Sequence, residues 1–233
     1  MRFLDNKWAL ISGSSRGVGQ QIALGLASRR CNVILHSRQL AGTDSTRELL
    51  RGYPVRVEAV AGDLSTPQGV QSVIDGVQAL PVQVDILYNN AAIQNPWREI
   101  WDIPYQEWLT TFQVNVFSLI ALCTAFAPAM KARGYGRIVN LTSGIRDTPQ
   151  LAPYSVSKAA VDKVTRDLAA ELRGTNVLVN TLDPGWLKTD MGGDQAPGEV
   201  GSVLPGALVP ALLDDFGPSG RFYAAQDYAV LEQ

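Results

Sequence analysis

The sequence predicts an α/β fold: a single doubly wound parallel sheet of about seven strands with helices on both faces. Three observations predict it. Short β-branched apolar runs alternate with helix-length segments along all 233 residues. The runs are almost continuously apolar rather than alternating, as strands buried on both faces are. No repeat, low-complexity tract or linker divides the chain, so one domain spanning residues 1–233 is expected.

Taken in order, the first strand is expected at 9–12, with a helix at 17–30. Further strands are expected at 32–37, 55–61, 84–88, 137–142, 176–182 and 221–225. Helices are expected at 44–51, 67–79, 105–133, 154–173 and 199–213. Thr66 before Pro67 reads as an N-cap and first helical position. Gly174 reads as a left-handed cap. Gly201, Pro205, Gly206 and Pro210 interrupt the last segment, which is one broken helix or two short pieces.

Composition excludes several classes. Twenty basic against twenty-two acidic residues give a net charge of −2, without a basic footprint for nucleic acid. Asp5, Asn6 and Lys7 break the layout of a secretion signal. The apolar run 114–130 carries Asn115, Ser118, Thr124 and Pro128, which argues against a membrane span. It suits a helix that is buried or shared with another subunit. Cys31 and Cys123, with no CxxC, fit a reducing compartment, and a cytoplasmic protein is expected. His36 is the single histidine, so no histidine-based metal site is expected.

The first strand runs into Ser12-Gly13-Ser14-Ser15-Arg16-Gly17-Val18-Gly19. Gly13, Gly17 and Gly19 allow a tight turn and close approach of a pyrophosphate, which the following helix N-terminus attracts. Gly13, Ser15 and Gly17 also match the G-x-S-x-G elbow of serine hydrolases. That chemistry needs an acid and then a histidine downstream, and His36 comes too early. Where a dinucleotide site carries an acidic ribose reader, this chain has Ser37 and Arg38 after His36. With Arg16 as a second guanidinium, this predicts NADP(H) over NAD(H). Tyr154 and Lys158 lie four apart and share one helix face. The row Val156, Ala160, Val164, Leu168, Leu172 reads as core packing.

With Asp63-Leu64, Asn89-Asn90-Ala91-Ala92, Asn115, Ser143, Tyr154-Ser155-Val156-Ser157-Lys158, and Asn180 through Asp183-Pro184-Gly185 to Thr189, the loop forms an ordered set. In that set the chain resembles the short-chain dehydrogenase/reductase family over nearly its whole length. The stretch from Pro184 to Gly193 is most similar to the carbonyl-reductase-like branch. The resemblance implies a Rossmann-type sheet order. It implies Tyr154 as general acid/base, its phenol lowered from about 10 by the Lys158 ammonium and by the oxidised nicotinamide. It implies Lys158 on the nicotinamide ribose and Ser143 on the developing oxyanion, with Thr142 as the fallback hydroxyl. Asn115 is implied to anchor a proton-relaying water, with a structural amide bonded to backbone as the other reading. Asp63 and Leu64 would bracket the adenine. Asn90 and Ala91 would flank the cofactor. Pro184, Gly185, Leu187 and Thr189 would seat the nicotinamide.

Three departures from the family pattern stand out. Ala92 replaces a glycine and narrows the groove, Ser12 replaces a threonine, and Ser143 and Tyr154 are eleven apart, so the 144–153 loop is short. Substrate-wall candidates are Gln94, Trp97, Ile145, Arg146, Gln150, Trp186 and Met191, with the exposed-loop reading preferred for Arg146. Trp101 and Trp108 are read first as packing residues. Gly192, Gly193, Gly198 and Gly201 suit a closing lid. The resemblance also implies a homodimer or homotetramer built through the 114–130 helix and the Tyr154 helix. The expected activity is NADPH-dependent reduction of a small ketone or aldehyde, reversible on secondary alcohols. A cofactor-binding sensor without turnover is the alternative.

Overall fold

Continuous apolar runs become strands here because both faces of the sheet are covered. The computed structural model describes residues 3–228. Among them, β1 (Trp8–Ile11), β2 (Asn32–Ser37), β3 (Val57–Ala61), β4 (Ile86–Asn89), β5 (Gly136–Leu141), β6 (Val177–Asp183) and β7 (Phe222–Ala224) form one sheet in the order β3-β2-β1-β4-β5-β6-β7. Every pairing is parallel. β1, β2, β4 and β5 are buried at each position. The strand order reverses between β1 and β4, which opens a crevice at the carboxyl ends of the strands.

The helices are α1 (Gly17–Ser28), α2 (Asp44–Leu50), α3 (Pro67–Gln78), α4 (Tyr105–Phe112), α5 (Ser118–Arg133) and α6 (Ala152–Glu171). Neighbouring side chains in a strand point to opposite faces, and the core divides accordingly. Ala9 and Ile11 pack with Ile22 and Leu26 of α1 and with Val203 and Leu208. Trp8 and Leu10 pack with Val73 of α3, Leu122 and Phe126 of α5, and Val161 of α6. Thr66 caps α3 as expected: its Oγ1 accepts the Gly69 N–H at 3.0 Å, ahead of Pro67. Such a cap is worth about 1 kcal/mol.

The segment at 199–213 is two short pieces, as the second reading expected, and both are 3-10 turns rather than α-helix, Val200–Val203 and Gly206–Ala211. One helical region departs from the sequence expectation. The 105–133 helix contains a π turn at Gln113–Phe117 between α4 and α5. Tyr105–Arg133 is also long and apolar enough, by length and composition, to cross a membrane, despite its polar residues. In this fold Leu119, Leu122, Phe126 and Met130 from that stretch are buried against the sheet.

Candidate active site

The glycine loop is held from three sides. Ser12 Oγ accepts the N–H groups of Asn90 and Ala91, each at 3.0 Å, and so joins the exits of β1 and β4. Asn90 Nδ2 donates to the carbonyls of Ser12 and Gly13. The third tie is His36. Gly13 N–H donates to its Nδ1 at 3.0 Å, so Nε2 carries the hydrogen and donates to Gly62 O, also at 3.0 Å. Burial pushes the pKa of this imidazole down, which keeps it neutral. Both ring nitrogens are thus spent on backbone, and Ser15 has no histidine base, so the hydrolase reading fails.

A cleft of about 940 Å³ opens over this loop, along the carboxyl ends of the strands. Its fit to a dinucleotide rests on close backbone approach. Gly13 (φ +66°) and Gly17 (φ +58°) occupy left-handed conformations. A Cβ on Gly19 would lie 2.4 Å from Gly13 O. The lining includes every expected cofactor residue except Gly185 and Leu187. Leu187 is instead a core side chain, 4% exposed. Gly185 (φ +86°) turns the chain against Gln226.

The two guanidinium groups expected to read the nucleotide have different partners. Arg16 pairs with Asp190 at 2.7 Å, and the Ser37 hydroxyl donates to Gln39 O. Arg38 lines the cleft near Asp63, whose carboxyl is held low first by the Ser65 N–H and, less strongly, by Arg38.

At the inner end, α6 carries Tyr154 and Lys158 into the same cleft. Lys158 is 4% exposed, and its Nζ donates to Leu141 O at 2.8 Å. The Nζ lies 5.6 Å from the centre of the Tyr154 ring. Burial pushes the lysine down to about 8, against Asp162 and Asp183, which favour its charge. Ser143, just beyond β5, accepts the Ile145 N–H at 3.2 Å, and its hydroxyl acts on the Tyr154 phenol in the lowering direction. The expected lowering of the phenol is not produced by the protein's own groups. Burial raises Tyr154, the Ser143 hydroxyl acts against it, and the Asp183 charge adds a smaller upward push.

The family model for short chain dehydrogenases matches residues 7–199, a span that holds the glycine loop, the switch-point cleft and the Tyr154–Lys158 pair. The chain belongs to the short-chain dehydrogenase/reductase family. As a short-chain dehydrogenase/reductase it is an oxidoreductase. It is 35% identical over 184 residues to an uncharacterized oxidoreductase of Bacillus subtilis, YvrD, covering 78% of this chain and 69% of that protein. It is also 35% identical over 188 residues to dehydrogenase/reductase SDR family member 4 of Bos taurus, covering 80% and 67% respectively. Among solved structures it is similar to a 3-oxoacyl (acyl-carrier-protein) reductase from Agrobacterium tumefaciens with NADP bound. There the TM-score is 0.87 at 27% identity, over 95% of this chain and 93% of the other.

In this short-chain dehydrogenase/reductase, several side chains sit differently from the sequence expectation. Asn115 lies in the π turn. Its Oδ1 accepts Ile93 N–H at 2.8 Å, and its Nδ2 donates to Ile93 O and Ser157 Oγ, both at 2.9 Å. Both amide hydrogens are committed, so the side chain is the structural amide of the second reading, a role compatible with the first. Asn90 lines the cleft, and its Nδ2 ties the end of β4 to the glycine loop. Thr142 Oγ1 donates to Lys158 O at 3.3 Å and is no fallback for Ser143. Among the substrate-wall candidates, Met191 lines the cleft, whereas Gln94, Trp97, Ile145, Arg146, Gln150 and Trp186 do not. Trp186 Nε1 donates to Gly192 O and shapes the 186–192 strap. Trp101 is 81% exposed, so its packing reading is wrong.

Sequence reasoning missed Ile93, Val114, Leu141 and Asp190 in the cleft lining. Asp190 directly follows Thr189, and that adjacency was the available signal. Ala92 lines the groove as expected. Asn95 was also missed. It is buried, accepts the Tyr154 N–H and donates to Gln150 O, fixing the start of α6.

Proposed function

We propose that this chain is an NADP(H)-dependent carbonyl reductase of small ketones or aldehydes, reversible on secondary alcohols. The observation that carries the reading is the pairing of Tyr154 with the buried Lys158 in the cleft, the lysine Nζ 5.6 Å from the centre of the phenol ring. When bound, the nicotinamide supplies or accepts the hydride. Tyr154 Oη gives the substrate oxygen its proton, or takes it back in oxidation. Ser143 Oγ donates to the oxygen as negative charge develops there. Lys158 holds the nicotinamide ribose and stabilises the phenolate left behind. Asn115, Asn90 and Asn95 act on the framework: they fix the 90–95 segment against the glycine loop and α6. The Pro184 to Gly193 motif supports the carbonyl-reductase-like branch.

Arg38 supports the choice of NADP(H): the end of β2 offers it in place of a carboxylate. A charge-assisted hydrogen bond is worth about 1.5–3 kcal/mol, or roughly ten- to hundredfold in affinity. Steady-state assays with NADPH and NADH across aromatic, aliphatic and acidic ketones test the proposal. Turnover with at least roughly tenfold preference for NADPH is the expected result. Preference for NADH would overturn the cofactor assignment. Cofactor binding without reduction of any carbonyl would favour the sensor.

The reading includes a homodimer or homotetramer. Leu109 on α4, Phe117 in the π turn and Val156 on α6 are 41%, 51% and 45% exposed, and α4 packs on α6. An apolar belt of this kind supports contact between copies. The mass in solution checks it, and a monomer would refute it. The two free cysteines are both buried, which supports a reducing compartment such as the cytoplasm.

A further inference from the structure

His36 joins the exits of β1, β2 and β3 through both its backbone and its ring. Its N–H donates to Ser14 Oγ at 2.9 Å, and its carbonyl accepts the Ser14 N–H at 3.0 Å. The ring spans the gap beyond, with Nδ1 accepting the Gly13 N–H and Nε2–H donating to Gly62 O, each at 3.0 Å. One protonation state makes both bonds: the neutral ring with its hydrogen on Nε2. A proton added at Nδ1 would set two donors against each other across 3.0 Å. Gly13 has little space in which to retreat. Its carbonyl accepts Asn90 Nδ2 at 3.0 Å, and a Cβ on it would stand 3.0 Å from Ala91 Cα. Gly19 packs against the same carbonyl too closely to admit a side chain. Pushing Gly13 aside therefore moves the turn from β1 into α1.

We infer that His36 is a positioning residue for the nucleotide: the glycine loop holds a pyrophosphate while Nδ1 keeps its lone pair for Gly13, and one proton on this ring releases the nucleotide. This inference rests on the nucleotide-binding reading above and adds what holds its cradle in shape. His36 touches no reacting atom and acts through the loop backbone. The charged groups about the ring come from three segments. Asp63, next to Gly62, favours the added proton, and burial outweighs it. Arg38, two residues on, and Arg16, farther along the loop, line the same cleft, and Arg16 is paired with Asp190. The other neighbours carry no charge: Ser12 and Ser14 from the exit of β1, Val60 across on β3, and Val73 of α3 against Gly62.

Protein labelled with 15N in the histidine ring reports on His36 alone, because the chain has one histidine. The ring is titrated from pH 8 downwards, without nucleotide and with saturating NADP or NAD in the oxidised form. Nucleotide affinity is measured over the same range by quenching of tryptophan fluorescence. NAD is included because the 2′-phosphate of NADP itself titrates near about pH 6. The Nε2–H tautomer is expected at neutral pH. Bound nucleotide should lower the midpoint of His36 by at least one pH unit, which by linkage is roughly tenfold weaker binding to the protonated ring. Below the midpoint of the free protein, affinity for both nucleotides should fall up to about tenfold per pH unit. His36→Asn offers Gly13 N–H an oxygen that takes no proton, and should remove this acid fall. His36→Leu offers no acceptor and should bind at least roughly tenfold more weakly at every pH. A midpoint that nucleotide leaves unmoved, or an acid fall that persists in His36→Asn, overturns the inference and leaves nucleotide binding standing. A ring that stays neutral until the fold is lost overturns it too. Failure of the parent to bind either nucleotide at any pH sinks the nucleotide-binding reading, and the inference with it. If neither variant folds, the titration of the parent protein decides alone.

Discussion

Tyr154→Phe is expected to lower kcat by roughly 10²–10⁴-fold while nucleotide affinity changes only a few-fold, the scale on which a positioned acid contributes. The substitution removes one oxygen and leaves the ring. The Tyr154 N–H still donates to Asn95, and Lys158 still donates to Leu141 O. No neighbouring hydroxyl is free to take over. Ser143 Oγ is engaged by the Ile145 N–H, and Thr142 is directed at Lys158 O. Turnover measured beside nucleotide fluorescence titration separates the two effects. Near-normal reduction by the variant would show that another group supplies the proton.

Gly19→Ala is the second large effect. The added methyl would lie 2.4 Å from Gly13 O and 2.5 Å from Asn90 Nδ2. Neither neighbour can yield freely: Asn90 is bonded to the loop carbonyls, and Gly13 N–H is held by His36. The loop must shift, at a cost of about 1–3 kcal/mol in stability. Nucleotide affinity should fall by at least roughly tenfold, because the displaced backbone is the pyrophosphate cradle. Gly201→Ala, where nothing lies within 4 Å of the new methyl, is the matched control and should bind as the parent does. Equal nucleotide affinity in Gly19→Ala and its parent would refute the cradle.

Much of this architecture was readable from one chain because its signals are local. Buried parallel strands announce themselves as unbroken apolar runs, and Thr66-Pro67 marks the start of α3 by its own chemistry. The glycine loop and the Tyr154–Lys158 pair carry their meaning in spacing. What escaped notice depends on neighbours distant in sequence. The apolar pattern runs straight through Gln113–Phe117, so nothing in it signals the wider π turn that presents Asn115 to Ile93 and Ser157. Leu187 sits in a nicotinamide-seating motif, yet its side chain packs into the core. Spacing shows Tyr154 beside its lysine but not the burial that pushes the phenol up. Trp101 looked like a packing residue because bulk alone does not say which way a side chain faces.

The parallel topology has one more consequence. Each strand hands its chemistry to the same rim: the glycine loop after β1, Ser37 and Arg38 at β2, Asp63 after β3, Asn90 after β4, Ser143 after β5 and Pro184 after β6. The opposite rim holds open returns such as those beside Gly134 and Gly174, whose left-handed φ of +67° and +81° keeps the two glycines themselves but leaves space around them. The molecule is thus divided into a conservative edge and a permissive one. Evolution or an engineer can lengthen, decorate or fuse at the second without disturbing a reacting atom at the first.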